Sequence, residues 1–276
     1  MKSTVCKLFA DEGLTDVAFL PFSACRVTLP RLLEKEGFAP QSVILFLVPY
    51  FGGYAENLSA YAATEDYHLF AKELGARLSP ALSSLFPDFR FRLFSDHSPI
   101  DERHAAVRAG LGVFGKNGLL LTERYSSFQF IGEIITDVPA ALWGETPLFP
   151  LRGCEGCGRC LSACPTGILR GEGEDCLSAI TQKKGELSPD EKALMRKHHT
   201  AWGCDACQKC CPYTQRALAS GSIYTPLPFF QKNRIHALSS ALLSHMPEEE
   251  FRRRAFAWRG RKTVERNVAL LEKEDE

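Results

Sequence analysis

Two groups of cysteines, each ending in a Cys-Pro pair, constrain this chain more than any other feature of its sequence. The first reads Cys154-x2-Cys157-x2-Cys160-x3-Cys164-Pro165, and the second reads Cys204-x2-Cys207-x2-Cys210-Cys211-Pro212. The first spacing is the one with which bacterial ferredoxins hold iron–sulfur clusters. When the two groups are aligned on their Cys-Pro ends, Ala201 falls opposite Cys154, so the second group lacks one thiol.

The spacing predicts eight thiolate ligands for two four-iron–four-sulfur clusters. In two-cluster ferredoxins the cysteine before the proline ligates the other cluster. That rule gives one cluster the ligands Cys154, Cys157, Cys160 and Cys211. It gives the other cluster Cys164, Cys204 and Cys207, with Cys176, which lies between the groups, as the candidate fourth ligand. Cys210 is left without a role.

Zinc sites and disulfides explain these cysteines less well. A zinc site needs only four thiolates, and zinc knuckles do not have the x2, x2, x3-Pro spacing. Disulfides need an oxidising compartment, and nothing in the sequence resembles a secretory signal. The longest apolar stretches, such as Val43–Val48, are too short to cross a bilayer. We therefore expect a protein of the reducing cytoplasm with no membrane contact.

The charge of the chain is balanced, but one segment near its C-terminus is strongly basic. Lys+Arg and Asp+Glu both total 33, so no net charge attracts nucleic acid or membrane. The one acidic residue of the segment is Glu265. Its basic residues are Arg252, Arg253, Arg254, Arg259, Arg261, Lys262 and Arg266. Such a run is usually a solvated helix face, although it could equally hold phosphates.

The first 148 residues alternate between apolar strands and helices, which is the pattern of an α/β domain. The predicted strands are 16–22, 42–48, 89–94, 119–122 and 128–135. The predicted helices are 29–36 and about 57–86, with Pro80 as a candidate break in the second. A ferredoxin-like domain is predicted for 149–225, and closing helices for 226–276. The fold class expected for the whole chain is α+β.

Asp96 stands out because it lies between a predicted strand and a predicted helix. Ser98 and Asp101 fit a capping box, with Pro99 at the first helical position and Gly110 as the helix stop. Functional side chains often emerge at such junctions in α/β sheets. The simpler interpretation is a solvated loop carboxylate, and position alone favours it.

The glycines at 110, 112 and 115 match the dinucleotide fingerprint G-x-G-x-x-G but not its context. That fingerprint leaves a strand and opens a helix, whereas here a helix ends at Gly110 and a strand follows. We therefore reject a nicotinamide site. The glycines instead predict a tight loop approached by another group, with Lys116 and Asn117 as polar contacts.

Taken in order, these motifs resemble the epoxyqueuosine reductase family, cobalamin-dependent iron–sulfur enzymes that complete queuosine in tRNA. The motifs are Tyr61-Ala-x3-Asp66-Tyr67-His68, with Thr64 where the family has glycine, Asp96-x2-Pro99-x2-Glu102-Arg103, Ala109-Gly-Leu-Gly-x2-Gly-Lys116, both cysteine groups, and Arg266-Asn267-Val-Ala-Leu270. Longer members continue into a helical-repeat domain that helps to grip tRNA, and this sequence ends at Glu276.

The resemblance implies a cobalamin site in the first domain and a tRNA substrate. It implies that Asp96 donates a proton to the opening epoxide and that Cys176 ligates the second cluster. The residues implied at the cofactor are Tyr61, Asp96, Arg103, Lys116 and Asn117, with Leu120, Ile131 and Ile134 as apolar walls. An external low-potential donor would supply electrons, and Arg252, Arg253, Arg254, Arg259, Arg261 and Lys262 are the candidates for contact with tRNA.

Two other functions stay open from the sequence. A relative with the same cofactors could reduce a small molecule, as reductive dehalogenases do. A ferredoxin-type electron carrier would need the clusters alone. Asp96 and the loop from Gly110 to Lys116 argue against a pure carrier, because a carrier needs neither.

Overall fold

A computed structural model describes residues 1–272 of the chain. It contains two compact units. The first unit comprises residues 1–49 and 70–156, and the second comprises 50–69 together with the chain from 157 onwards. The segment 50–69, which the sequence analysis placed in the first domain, thus folds with the cysteine-rich part of the chain. No helix among the described residues is long and apolar enough to span a bilayer.

The first unit combines one main sheet with helices. In chain order its elements are α1 (Lys2–Asp11), β1 (Val17–Pro21), α2 (Pro30–Glu34), β2 (Ser42–Pro49), α3 (Tyr67–Leu85, whose first turn lies in the second unit), β3 (Phe91–Ser95), α4 (Glu102–Arg108), β4 (Val113–Phe114), β5 (Leu120–Leu121) and β6 (Gln129–Thr136). Short 3-10 helices follow β1 at Phe22–Ala24 and β6 at Ala140–Trp143.

The main sheet has the strand order β1-β2-β6-β3, and each neighbouring pair is antiparallel. Strands β2 and β6 are the two inner strands, and all eight residues of β2 are buried, as its apolar run predicts. Strand β6 joins β2 to β3, with Leu45 opposite Glu133 on one side and Phe94 opposite Glu133 on the other. Asp96 therefore follows directly from a strand that pairs with β6.

The two faces of the sheet bury different side chains, because successive residues of a strand point to opposite faces. On one face, Leu45 and Ile131 pack in a core with Ala105 and Ala106 of α4. On the other face, the Phe46 ring lies 4.9 Å from that of Phe9 in α1. Gly132 permits this packing, because a Cβ there would lie 2.3 Å from the Phe46 ring.

The second unit is built from short helices. They are α5 (Arg159–Ala163), α6 (Leu177–Thr181), α7 (Pro189–Lys197), α8 (Ala206–Lys209), α9 (Pro212–Ser220), α10 (Ser240–His245), α11 (Glu248–Arg252) and α12 (Arg261–Glu272). Further 3-10 helices lie at Ala60–Ala63, Ile168–Arg170, Pro228–Phe230 and Ala257–Arg259. The fully buried Trp202 and Phe256 lie at the centre of an apolar core that also takes in the segment around Leu58.

The observed elements agree with the predicted strands and differ in how they are connected and bounded. Alternating strands and helices typically form a parallel sheet, but here the main sheet is antiparallel. Helix α3 continues through Pro80 and starts at Tyr67, so the predicted start near Asn57 is wrong. Residues near Asn57 instead form part of the second unit. There the Ala201 N–H donates to the Asn57 carbonyl at 2.8 Å.

Candidate functional site

Asp96 lies in the first turn after β3, in a strained backbone conformation. Its φ is 70°, in the left-handed region that few residues other than glycine adopt, and its side chain is exposed. The Ser98 N–H donates to the Asp96 carbonyl oxygen at 3.1 Å, which closes the turn. The carboxyl group is therefore presented to solvent at the end of the sheet, where a substrate could reach it.

Helix α4 begins three residues later than the sequence predicts. Asp101 is the N-cap, and its carboxylate accepts the His104 N–H at 3.1 Å. The capping box assigned to Ser98 is wrong, because the Ser98 hydroxyl accepts the Ile100 N–H at 3.0 Å and donates to Glu133 instead. Pro99 therefore lies in the loop before the helix.

Two acids lie close to the Asp96 loop, the buried Glu133 and the partly buried Glu102, and neither was assigned a role from the sequence. Glu133 is 1% exposed, and burial raises its pKa to about 8, with the Ser98 hydrogen bond opposing and Glu102 adding to the rise. Burial and the charge of Asp96 raise the pKa of Glu102 to about 7. One oxygen of each carboxyl group, Oε2, is buried without a hydrogen-bond partner. For Glu133, the signal in the sequence was an acidic residue inside the apolar strand predicted for 128–135.

The loop between α4 and β5 contains Lys116 and Asn117, two of the polar residues predicted to hold cobalamin, and Arg103 of α4 bonds to it. The Arg103 guanidinium donates to the Gly118 carbonyl at 2.6 Å, and Asn117 Oδ1 accepts the Leu119 N–H at 3.3 Å. Asn117 Nδ2 is buried without a partner. A buried donor without an acceptor is costly, so a ligand with acceptor groups, such as the amide side chains of a corrin, fits this loop. Lys116 lies in the same loop.

The predicted apolar walls do not all lie on one surface. Leu120 and Ile131 belong to the same core cluster beside α4. Ile134 is 2% exposed and points to the opposite face of β6, because it is an odd number of residues from Ile131. Tyr61 belongs to the second unit, where its hydroxyl accepts a hydrogen bond from the Trp202 indole at 3.1 Å.

Three of the four thiols predicted for the second cluster lie near one another in the second unit. Burial raises the pKa of Cys204 to about 11, and the charges of Cys176, Asp205 and Cys164 add to the rise. Burial also raises the pKa of Cys164, but backbone N–H groups and the Thr166 hydroxyl reverse this, so its pKa is lowered overall. Donors of this kind stabilise a thiolate ligand.

Three of the thiols predicted for the first cluster, Cys157, Cys160 and Cys211, act electrostatically on Cys210 in the second unit. Burial raises the pKa of Cys210, and the charges of Cys160, Cys211 and Cys157 add to that rise. Its own thiol lies 3.5 Å from the Cys207 carbonyl oxygen. Cys154 belongs to the first unit, where its N–H donates to the Phe114 carbonyl at 2.8 Å. Within residues 1–272, no three Cys, His, Asp or Glu side chains are grouped as ligands of a single metal ion.

Asp205, between two predicted ligands, is a buried acid that the sequence analysis did not single out. It accepts the Ala60 N–H at 2.7 Å and a hydrogen bond from Gln208 at 2.9 Å. Burial raises its pKa to about 6 despite these bonds and the charge of Lys209. It borders a cavity of about 140 Å³ that also contacts Ser59 and Cys204. The network ties the segment 50–69 to α8.

The basic segment is less uniform than its sequence suggests. The Arg254 side chain is 5% exposed and is held by Glu250 at 2.6 Å and by the Asn233 carbonyl oxygen. Arg261 donates to the Leu243 and Met246 carbonyls at 2.8 and 2.9 Å. Arg254 and Arg261 thus hold the fold together. The exposed members include Arg252, Arg253 and Lys262, while Arg259 stacks on the exposed Trp258 ring at 3.8 Å.

Comparison with known proteins identifies the relatives of this chain. A family described as "4Fe-4S double cluster binding domain" matches residues 153–214. An epoxyqueuosine reductase of Listeria monocytogenes is 34% identical over 258 residues, covering 88% of this chain and 65% of that protein. By sequence, this chain is similar to epoxyqueuosine reductases over most of its own length. It spans about half to two thirds of the length of its curated relatives.

Solved epoxyqueuosine reductases share the fold. One was determined with an epoxyqueuosine-modified tRNA stem loop; it has a TM-score of 0.78 and 23% identity, and the match covers 98% of this chain and 80% of that one. Another, from Bacillus subtilis, has its catalytic aspartate loop swung out of the active site, with a TM-score of 0.77, 23% identity and the same coverage. These likenesses confirm the mixed α and β fold.

Proposed function

We propose that this protein is a cytoplasmic oxidoreductase that removes the epoxide oxygen of epoxyqueuosine in tRNA to give queuosine. The observation that carries the proposal is the 34% identity with an epoxyqueuosine reductase. Since 88% of 276 residues leaves roughly 33 outside that match, and Asp96 and Cys211 lie further than that from either end, the match includes both cysteine groups and the Asp96 segment.

The reaction consumes an electron pair and protons and releases the epoxide oxygen as water. In this proposal Asp96 gives a proton to that oxygen, and its exposed position lets it take up another from solvent. The Asp96 loop is proposed to take more than one position, as the catalytic aspartate loop of the Bacillus subtilis structure does. Closing the loop would then bring the acid to the substrate.

The cofactors proposed are cobalamin and two four-iron–four-sulfur clusters. When bound, cobalamin would supply a low-potential cobalt centre for reducing the epoxide. Arg103, Lys116 and Asn117 would hold it, and the partnerless Asn117 Nδ2 fits this role. Cys154, Cys157, Cys160 and Cys211 are proposed to hold one cluster and Cys164, Cys176, Cys204 and Cys207 the other, with electrons from an external low-potential donor.

tRNA is the proposed partner, because the fold matches a structure that contains an epoxyqueuosine-modified stem loop. Phosphates would contact the exposed part of the basic segment, namely Arg252, Arg253 and Lys262, rather than the buried Arg254. Trp258 beside Arg259 offers a ring on which an unpaired base can stack.

The experiment is anaerobic incubation of the reconstituted protein with tRNA that contains epoxyqueuosine, followed by nucleoside mass spectrometry. Wild-type protein should convert epoxyqueuosine to queuosine, and Asp96→Asn should keep its cofactors and convert far less. A wild-type protein that is fully loaded with clusters and cobalamin but produces no queuosine would contradict the proposal.

A further inference from the structure

Glu133 is a buried acid that the proposed reaction does not use directly. It is 1% exposed and lies in the middle of β6, on the sheet face that packs against α4. Burying an ionisable group costs free energy, so the position calls for a reason. The reason offered by the structure is its contact with the loop that carries Asp96.

Ser98 connects this loop to Glu133. The last strand pair before the loop is Ser95 opposite Gly132, next to Glu133 in β6. Beyond the loop, the Pro99 carbonyl accepts the Thr28 N–H at 2.9 Å, which fixes the chain again. Between these two points the Ser98 hydroxyl donates to Glu133 Oε1. The Ile100 N–H donates to the same hydroxyl at 3.0 Å, so the serine is held in place from both sides.

We propose that Glu133 is a positioning residue that, through Ser98, holds the Asp96 loop in the position seen in this structure. The proposal rests on the proposed function, in which Asp96 is the acid. A loop with φ of 70° at Asp96 is held in a costly conformation, so it needs a bond of this kind to keep it there.

The Ser98 bond by itself favours an ionised Glu133, but burial opposes the charge more strongly, and Glu133 Oε2 is buried without a hydrogen-bond partner. An ionised Glu133 would gain by opening the loop, since water could then reach it. Its neighbours strengthen this effect: Glu102 of α4 raises its pKa, Asp96 and Asp101 raise the pKa of Glu102, and Arg103 opposes them. Cys25 stays neutral, because burial and the charge of Glu133 raise its pKa to about 12.

The direction of the pH effect follows from the raised pKa of Glu133. Below its ordinary pKa of 4.5, Glu133 is protonated in both loop positions and favours neither. As the pH rises toward about 8, the loop in the position seen here keeps a proton on Glu133 that an opened, more hydrated loop releases, so opening becomes more favourable by at most about tenfold per pH unit. Above about 8 the effect levels off.

Hydrogen exchange measured by mass spectrometry on the reconstituted protein tests the proposal without relying on turnover. The reporter is the peptide spanning residues 95–101, and β2 (Ser42–Pro49) is the internal control. Ser98→Ala should speed exchange of the reporter about five- to thirtyfold, as expected from loss of the two hydrogen bonds of the hydroxyl. Glu133→Gln keeps an acceptor for Ser98 but cannot ionise. At each pH, the wild-type exchange rate is divided by the rate of Glu133→Gln, which cancels the intrinsic pH dependence of amide exchange. This ratio should rise between pH 6 and pH 8.

Glu123→Gln, a change at an exposed glutamate, is the matched control and should behave as wild type. In turnover, Ser98→Ala should lower kcat with little change in KM, because substrate binding is not what the bond controls. Reporter exchange in Ser98→Ala equal to wild type, or a wild-type to Glu133→Gln ratio independent of pH, would overturn the proposal. If Glu133→Gln fails to fold, Ser98→Ala decides alone. A wild-type protein without turnover would contradict the proposed function and leave the exchange test intact.

Discussion

Arg254 and Arg252 are close in sequence, but truncating them should have very different effects. Arg254→Ala removes a guanidinium that is 5% exposed and donates to Glu250 at 2.6 Å and to the Asn233 carbonyl. The bond to the carbonyl is charge-assisted and contributes about 1.5–3 kcal/mol. Because Glu250 is half-exposed, the ion pair adds only about 0.3–1 kcal/mol. We expect Arg254→Ala to lower the free energy of unfolding by about 2–4 kcal/mol.

Arg252 is the matched control. Its side chain is 76% exposed and pairs with Glu248 one helical turn away, a pair that contributes about 0.3–0.5 kcal/mol. Arg252→Ala should therefore leave stability nearly unchanged. Urea unfolding of the reconstituted variants, followed by circular dichroism, compares the two directly. Equal losses of stability in both variants, or a loss below about 0.5 kcal/mol for Arg254→Ala, would refute the structural role assigned to Arg254.

Three further predictions concern the cofactors and the substrate. Cys176→Ser should lose or degrade the cluster held with Cys164, Cys204 and Cys207, whereas Cys210→Ser should keep both clusters. Iron analysis and electron paramagnetic resonance distinguish the two variants, and the reverse outcome would show the ligand assignment to be wrong. Asp96→Asn should bind both cofactors yet turn over about 100- to 10,000-fold more slowly, and full activity would return Asp96 to an ordinary loop carboxylate. Changing Arg252, Arg253 and Lys262 together to Ala should flatten the salt dependence of tRNA binding by about two units of slope, measured by filter binding. An unchanged slope would remove this segment from the interface.

Features set by local sequence were predictable. The two cysteine groups carry the iron–sulfur signal in their spacing, and the double-cluster family match covers both groups; which thiol ligates which cluster stays a prediction. The apolar run in β2 predicted a fully buried strand, and β2 is an inner strand of the sheet. These signals need no knowledge of what lies across the fold.

Features set by distant partners were not predictable in the same way. Ser98 and Asp101 are both good N-caps. Asp101 caps α4, while the Ser98 hydroxyl donates to Glu133 of β6, which is distant in the sequence. The antiparallel pairing of β3 with β6 likewise joins segments far apart in the chain. The placement of Ile134 was predictable from the sequence, since strand alternation alone puts it on the face opposite Ile131.

The central claim is that this chain carries electrons to the epoxide of epoxyqueuosine in tRNA, and a single-turnover experiment tests it most directly. Protein loaded with clusters and cobalamin is reduced, freed of the external reductant, and mixed anaerobically with tRNA containing epoxyqueuosine. Queuosine should form in proportion to the reduced protein as the clusters reoxidise, with unmodified tRNA as the control. Clusters that stay reduced while epoxyqueuosine remains intact, or that reoxidise equally with unmodified tRNA, would contradict the account.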